Sequence, residues 1–306
     1  MIRLRQKWSF FLVVFVILLS SCGGDVNEEL VKAVQLGDNA ATEALLAKGA
    51  DANLPNPKGR IPLTLAAEKG HTETVKILLD HGSDINQGES DGKNALIWAA
   101  GNGKHDTLVE LLARGADINV ADNEEKTALM AAAFGGHSEV VQSLLDKGMQ
   151  VNAIDRRGGT ALLMAVGEGN TGVVKVLLEH GADVNVKTSD GTPVLAWAAL
   201  KGHTETVHLL LSKDLELEVK DSEGKTALMI AAAEGHPEII DALLVKADER
   251  WPRSAHYWVN EKDNNGWDAL MHSASKGQIG IIQTLLAKRA NLKAKTGDGW
   301  TALMMG

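Results

Sequence analysis

The 306-residue chain has a single cysteine, one tyrosine, six prolines and an aromatic content of only 4%. One cysteine, Cys22, cannot close an internal disulfide, and it excludes any Cys-rich metal site. No concentrated run of lysine or arginine is present, and the formal net charge is −9. Without residues 1–21, which hold Arg3, Arg5 and Lys7 and no acid, 28 basic residues stand against 40 acidic ones, a charge of −12. Nucleic-acid binding needs clustered Lys/Arg to displace counterions, so no nucleic-acid partner is expected. The phosphate-binding GxxxxGK[ST] and the zinc-binding HExxH are both missing. The many carboxylates recur at turn and helix-surface positions, where solvated charge is the default. No catalytic residue, cofactor, metal or small-molecule substrate is therefore expected, and the chain does not read as an enzyme.

What is present begins with an address. Residues 1–21 combine a basic start with an apolar run from Phe10 to Leu19, which is short for a membrane span and suited to a secretory signal. The run ends in Leu19-Ser20-Ser21-Cys22, which resembles the lipobox of bacterial lipoproteins. That resemblance implies cleavage before Cys22, lipidation of its thiol and a short tether over 22–26. Several acyl chains, unlike one, hold a protein stably on a bilayer. Gly23 stands where an Asp would be associated with inner-membrane retention. The resemblance thus implies a lipid-anchored protein of the bacterial cell envelope, on the periplasmic face of the outer membrane.

The body repeats. Leu63, Leu96, Leu129, Leu162, Leu195 and Leu228 recur at steps of 33, Leu270 follows after 42, and Leu303 after a further 33. Gly70, Gly103, Gly136, Gly169, Gly202, Gly235 and Gly277 keep the same register, as do Leu-Leu pairs such as 78–79 and 144–145. The motifs Thr127-Ala128-Leu129-Met130, Thr160-Ala161-Leu162-Leu163 and Gly115-Ala116-Asp117-Ile118-Asn119, on a 33-residue period, resemble the ankyrin repeat. That family implies an all-α solenoid of helix-turn-helix units with β-turn or hairpin connections over residues 27–306. Residues 27–53 read as an N-terminal cap, because Lys32 stands where later units place apolar residues. Further units begin near 56, 89, 122, 155, 188, 221, 263 and 296, the last of them incomplete, and a nine-residue insert falls within 247–258.

Local chemistry agrees with helix pairs. Thr127, Thr160 and Thr226 precede apolar runs and can cap a first helix. Pro62 suits a helix start, and the Gly70-type glycine suits a left-handed helix end. Val75, Leu78 and Leu79 make the stripe of a second helix with one buried face.

Two motifs invite chemistry and fail a spacing test. Gly167-Glu168-Gly169-Asn170-Thr171-Gly172 matches GxGxxG, but it falls between two helices, whereas a dinucleotide site needs a preceding strand. His71, His137, His203 and His236 occupy one slot in separate units. Repeats stack about 10 Å apart, too far for equivalent histidines to share an ion, so these are expected to hydrogen-bond loop backbone instead. Trp98 and Trp197 share an otherwise apolar repeat position and are expected in the core.

Other apolar groups point to a partner. Trp251, Tyr257, Trp258, Trp267 and Trp300 all lie in the last 56 residues. Trp267 and Trp300 stand at a turn position where Arg60, Lys93, Lys126 and Lys225 occur earlier; in ankyrin proteins that position faces partners. Phe134 and Leu200 fall near the end of a first helix, the family's other contact position. Aromatic residues dominate binding hot spots. Phe134, Leu200, Trp251, Trp258, Trp267 and Trp300 are the partner-binding candidates, with packing on their own unit the alternative for Trp251 and Trp258. The function implied is a membrane-tethered scaffold for a protein partner. A spacer without a specific partner and an enzyme with an unrecognised site are the alternatives.

Overall fold

The computed structural model describes residues 25–306. The signal segment and Cys22 lie outside the described residues. The chain divides into two compact units between Asn123 and Glu124.

Unit 1 contains α1 (Val26–Leu36), α2 (Asn39–Ala47), α3 (Pro62–Lys69), α4 (Thr72–Asp80), α5 (Ala95–Gly101) and α6 (His105–Ala113). Unit 2 contains α7 (Ala128–Gly135), α8 (Ser138–Asp146), α9 (Ala161–Gly167), α10 (Thr171–Glu179), α11 (Val194–Lys201), α12 (Thr204–Leu211), α13 (Ala227–Glu234), α14 (Pro237–Arg250), α15 (Ala255–Val259), α16 (Ala269–Ser275), α17 (Ile279–Ala287) and α18 (Ala302–Met305). No strand occurs among the described residues; an antiparallel bridge joins Lys187 and Pro193.

Within each unit, first helices pack on first helices, second on second, and each pair on itself. The periodic leucines explain this. Leu63 and Leu96 in unit 1, and Leu129, Leu162, Leu195, Leu228 and Leu270 in unit 2, are all buried between neighbouring first helices. Truncating such a side chain to Ala costs about 2–5 kcal/mol. Leu303 keeps the register but is 81% exposed.

The helices start where side chains satisfy free N–H groups. Thr127, Thr160 and Thr226 accept from the backbone N–H three residues on, at 3.3, 3.2 and 3.4 Å. Pro62 opens α3, and Pro193 stands in the cap position of α11. First helices end on glycines in the left-handed region, such as Gly70 at φ 79° and Gly202 at φ 71°. These glycines meet a second demand. A Cβ on Gly202 would lie 2.7 Å from the His236 ring, and one on Gly70 would lie 2.8 Å from Lys104. Within each unit, the residue eight positions after a periodic leucine thus lies on the glycine of the preceding repeat, as at His71, Lys104, Asn170, His203, His236 and Gln278. His71 Nε2 meets Gln35 O, and His203 Nε2 meets Gly167 O, each at 3.3 Å. Asn170 does the same with its amide, donating to Ala133 O and Phe134 O at 3.0 Å. The histidine slot therefore locks one repeat to the next, as a hydrogen-bonded contact between a side chain and loop backbone.

The longer step in the repeat is taken up by α14, which runs 14 residues against nine in α8 and α10, and by the added α15.

Candidate functional site

The turn before several first helices is built by one acidic side chain. Asp155 Oδ1 accepts from the backbone N–H of Arg157 and Gly159 at 2.9 and 2.7 Å. Asp221 holds Glu223 and Lys225 in the same way, and Asp263 holds Asn265 and Trp267. This short-range turn chemistry fixes the residue three before the periodic leucine at the lip of the turn. Side chains at that position, and at the exposed end of the first helix, form the candidate surface.

In unit 2 this surface becomes aromatic. Asp263 is almost fully buried, and its second oxygen accepts from His272 Nε2 at 2.9 Å. The His272 ring stands 5.2 Å from the half-buried Trp267 ring, tilted by 48°. Asp263 thereby fixes the Trp267 backbone and, through His272, supports its indole. Trp300 is 53% exposed and is held by a matching turn, its N–H bonded to Thr296 Oγ1 at 3.1 Å. Both tryptophans line one open cavity of about 680 Å³, with Met304, Asp298 and Ser275. A pocket with apolar rings and a few polar groups suits the side chains of a partner protein.

The structure sorts the remaining candidates. Phe134, on α7, is 58% exposed and Leu200, on α11, is 39% exposed; both present apolar groups outside that cavity. Trp251 is half-buried at the end of α14. Trp258 is only 4% exposed, on α15, with its ring 6.2 Å from that of Trp251. The expectation of a partner-facing Trp258 is corrected: α15 folds back and turns this ring inward, where no partner can reach it. The core assignment of Trp98 and Trp197 also changes. Both are half-buried. Arg60 lies 4.6 Å and Lys93 Nζ 5.3 Å from the Trp98 ring, and Lys201 Nζ 4.7 Å from the Trp197 ring. The same slot buries Leu65 and Ile230, whereas the larger indoles are left partly open and are covered by cations. Trp197 fits because Gly167 of the preceding repeat has no side chain; a Cβ there would stand 2.9 Å from the indole nitrogen.

Unit 1 carries a network that residue types did not reveal. Glu89 occupies the turn position filled by Asp155, Asp221 and Asp263 in unit 2, but its longer side chain reaches Thr64 Oγ1 and, at 2.7 Å, Arg60 Nε. Arg60 also pairs with Glu68. Burial opposes the charge on Arg60, and its hydrogen bonds to Glu68 and Glu89 outweigh that and raise its pKa. Burial likewise opposes the charge on Glu68, while Arg60 and Lys69 hold its carboxyl below the usual value. Every charge here is internally compensated.

Asp268 was also overlooked. It stands in the cap position of α16, where its neighbours have Thr, and accepts from Met271 N at 2.9 Å. Its other oxygen is buried without a partner, and burial raises its pKa against the pull of the Met271 bond and Lys262.

Stacked helix pairs joined by turns with an exposed lip define a helical-repeat protein. The family model of ankyrin repeats (3 copies) matches residues 30–122, 98–188 and 185–251, and the chain belongs to that family. Ankyrin repeats are generally protein–protein interaction modules. No curated protein matched the chain.

Proposed function

We propose that the chain is a membrane-tethered, extracytoplasmic scaffold that captures a protein partner on the turn face of unit 2. The observation that carries this reading is the open cavity lined by the half-buried Trp267 and the exposed Trp300. Exposed aromatic groups held in place lose little entropy when buried by a partner. The tether rests on the sequence Leu19-Ser20-Ser21-Cys22.

The full lipidated chain, immobilised in detergent, should retain its partner from an envelope extract. Trp267→Ala with Trp300→Ala should weaken capture by about 2 kcal/mol, or roughly thirtyfold, with an unchanged circular dichroism spectrum. Equal capture by both forms would remove the docking surface and favour the spacer. Cys22→Ser should release the protein from the membrane fraction. A processed, membrane-bound Cys22→Ser form would contradict the tether.

A further inference from the structure

The insert between α14 and α16 does more than interrupt the repeat. With the ends of α14 and α17 it borders a second open cavity, of about 430 Å³, on which Arg253 and Arg289 are exposed. Its charged lining is unusual for a chain of net charge −9. Arg253, Lys288 and Arg289 face it, with Asp248 the acidic residue among them. Lys288 pairs with Asp248, which cancels both charges.

The two arginines are different. Arg60, Arg114, Arg156, Arg157 and Arg250 each reach a carboxylate within 4 Å. Among the described arginines, Arg253 and Arg289 have no acidic partner, and both line this one cavity. Two uncompensated guanidinium groups leave a local charge of about +2, since arginine stays protonated at any ordinary pH.

Backbone geometry adds an independent observation. Arg289 has φ 66°, in the left-handed region. Gly49, Gly82, Gly115, Gly148 and Gly181 occupy the equivalent position in earlier repeats, with φ between 81° and 92°. A Cβ on any of those glycines would meet nothing within 4 Å. Space for a side chain is thus free at this position, and only the backbone conformation disfavours one. The repeat beside the cavity accepts that strain and places a guanidinium there.

We propose that this insert-built cavity binds a phosphomonoester. Its dianion matches the two free positive charges, and the guanidinium fork matches its oxygens. The volume exceeds that of a phosphate group, and the exposed Pro252 and Ala287 give part of the remaining wall an apolar surface for the ester substituent. The group is bound as a ligand, and it widens the expected partners beyond protein alone.

Calorimetric titration of the full chain in detergent tests this, with methyl phosphate, acetate and dihexanoyl phosphatidic acid as probes and dihexanoyl phosphatidylcholine as control. Methyl phosphate should bind saturably and at least about tenfold more tightly than acetate. Phosphatidic acid binding well above methyl phosphate would assign the source to a lipid headgroup; equal binding would assign it to a soluble phosphomonoester. Arg253→Gln should weaken binding about tenfold or more. Arg289→Gly should do the same while raising the melting temperature by a few degrees, because glycine relieves the backbone strain. That opposite pair of effects separates lost binding from lost folding. No saturable phosphomonoester binding, acetate binding as tightly, or full binding by Arg289→Gly would each overturn the proposal.

Discussion

The turn faces of the two units share one backbone design and differ in what their side chains do with it. In unit 1, Arg60 spans Glu68 and Glu89 and lies over the Trp98 ring, so cation and anions satisfy one another across the indole face. In unit 2, the same turn position holds Trp267 and Trp300, and the acid–histidine pair beneath Trp267 orients a ring that is left facing a cavity. A closed network gains little from a partner, which would have to replace bonds already made. An oriented, uncovered ring gains from the apolar area that a partner buries. Repetition of the fold thus supplies the platform, and substitution at the turn position decides whether it is self-satisfied or available.

The sharpest way to break this comparison is within unit 2 itself. Trp258→Ala removes a buried ring and should cost about 3 kcal/mol or more in urea unfolding. Trp300→Ala removes an exposed one and should cost less than about 0.5 kcal/mol. Similar costs for the two would contradict the division between packed and open tryptophans.

The closed network of unit 1 should respond at an intermediate level. Arg60→Gln leaves Glu89, whose side chain is 6% exposed, without its cation. A loss of about 1–2 kcal/mol is expected, below the value for fully buried pairs because Arg60 and Glu68 remain partly solvated. A cycle with Glu89→Gln should show that the two losses are not additive.

Asp268 gives the smallest effect and the one with a pH signature. Asp268→Thr restores the cap used by Thr127, Thr160 and Thr226 and removes a buried carboxyl oxygen without a partner. It should stabilise the chain by about 0.5–1 kcal/mol at pH 7. Because burial raises the folded-state pKa, the folded chain keeps this proton above the pH at which the unfolded chain releases it. The penalty is therefore absent below the ordinary aspartate value of about 3.9 and grows as pH rises past it. Melting curves of both forms should converge below that pH.

Much of the fold was legible because its cause is periodic. The 33-residue spacing of leucine, glycine and cap Thr fixes which residues share a face, and equivalent histidines in separate units declare a packing role. What periodicity does not reach was harder to read. Trp258 sits in the insert, where no neighbouring repeat gives a register, so its type suggested an anchor while its burial depends on how α15 folds back. Glu89 looked like one more turn acid; a single extra methylene carries its carboxylate to another repeat. Trp98 and Trp197 stand in a slot that does bury Leu65 and Ile230, but the indoles are only half-buried there and lie beneath cations. Arg289 stands at a register position held by Gly49, Gly82, Gly115, Gly148 and Gly181, but Asp214 and Ala247 depart from glycine there too, so its left-handed backbone was not legible from the pattern alone.

The central claim is that the partner docks on the aromatic turn face of unit 2. A photo-activated cross-linking residue placed at Trp300, at Arg60 or at the outward-facing Gln142 of α8 tests it most directly. The partner should cross-link strongly from position 300 and weakly or not at all from 60 and 142. Cross-linking concentrated at position 142, or equal from all three, would contradict the account.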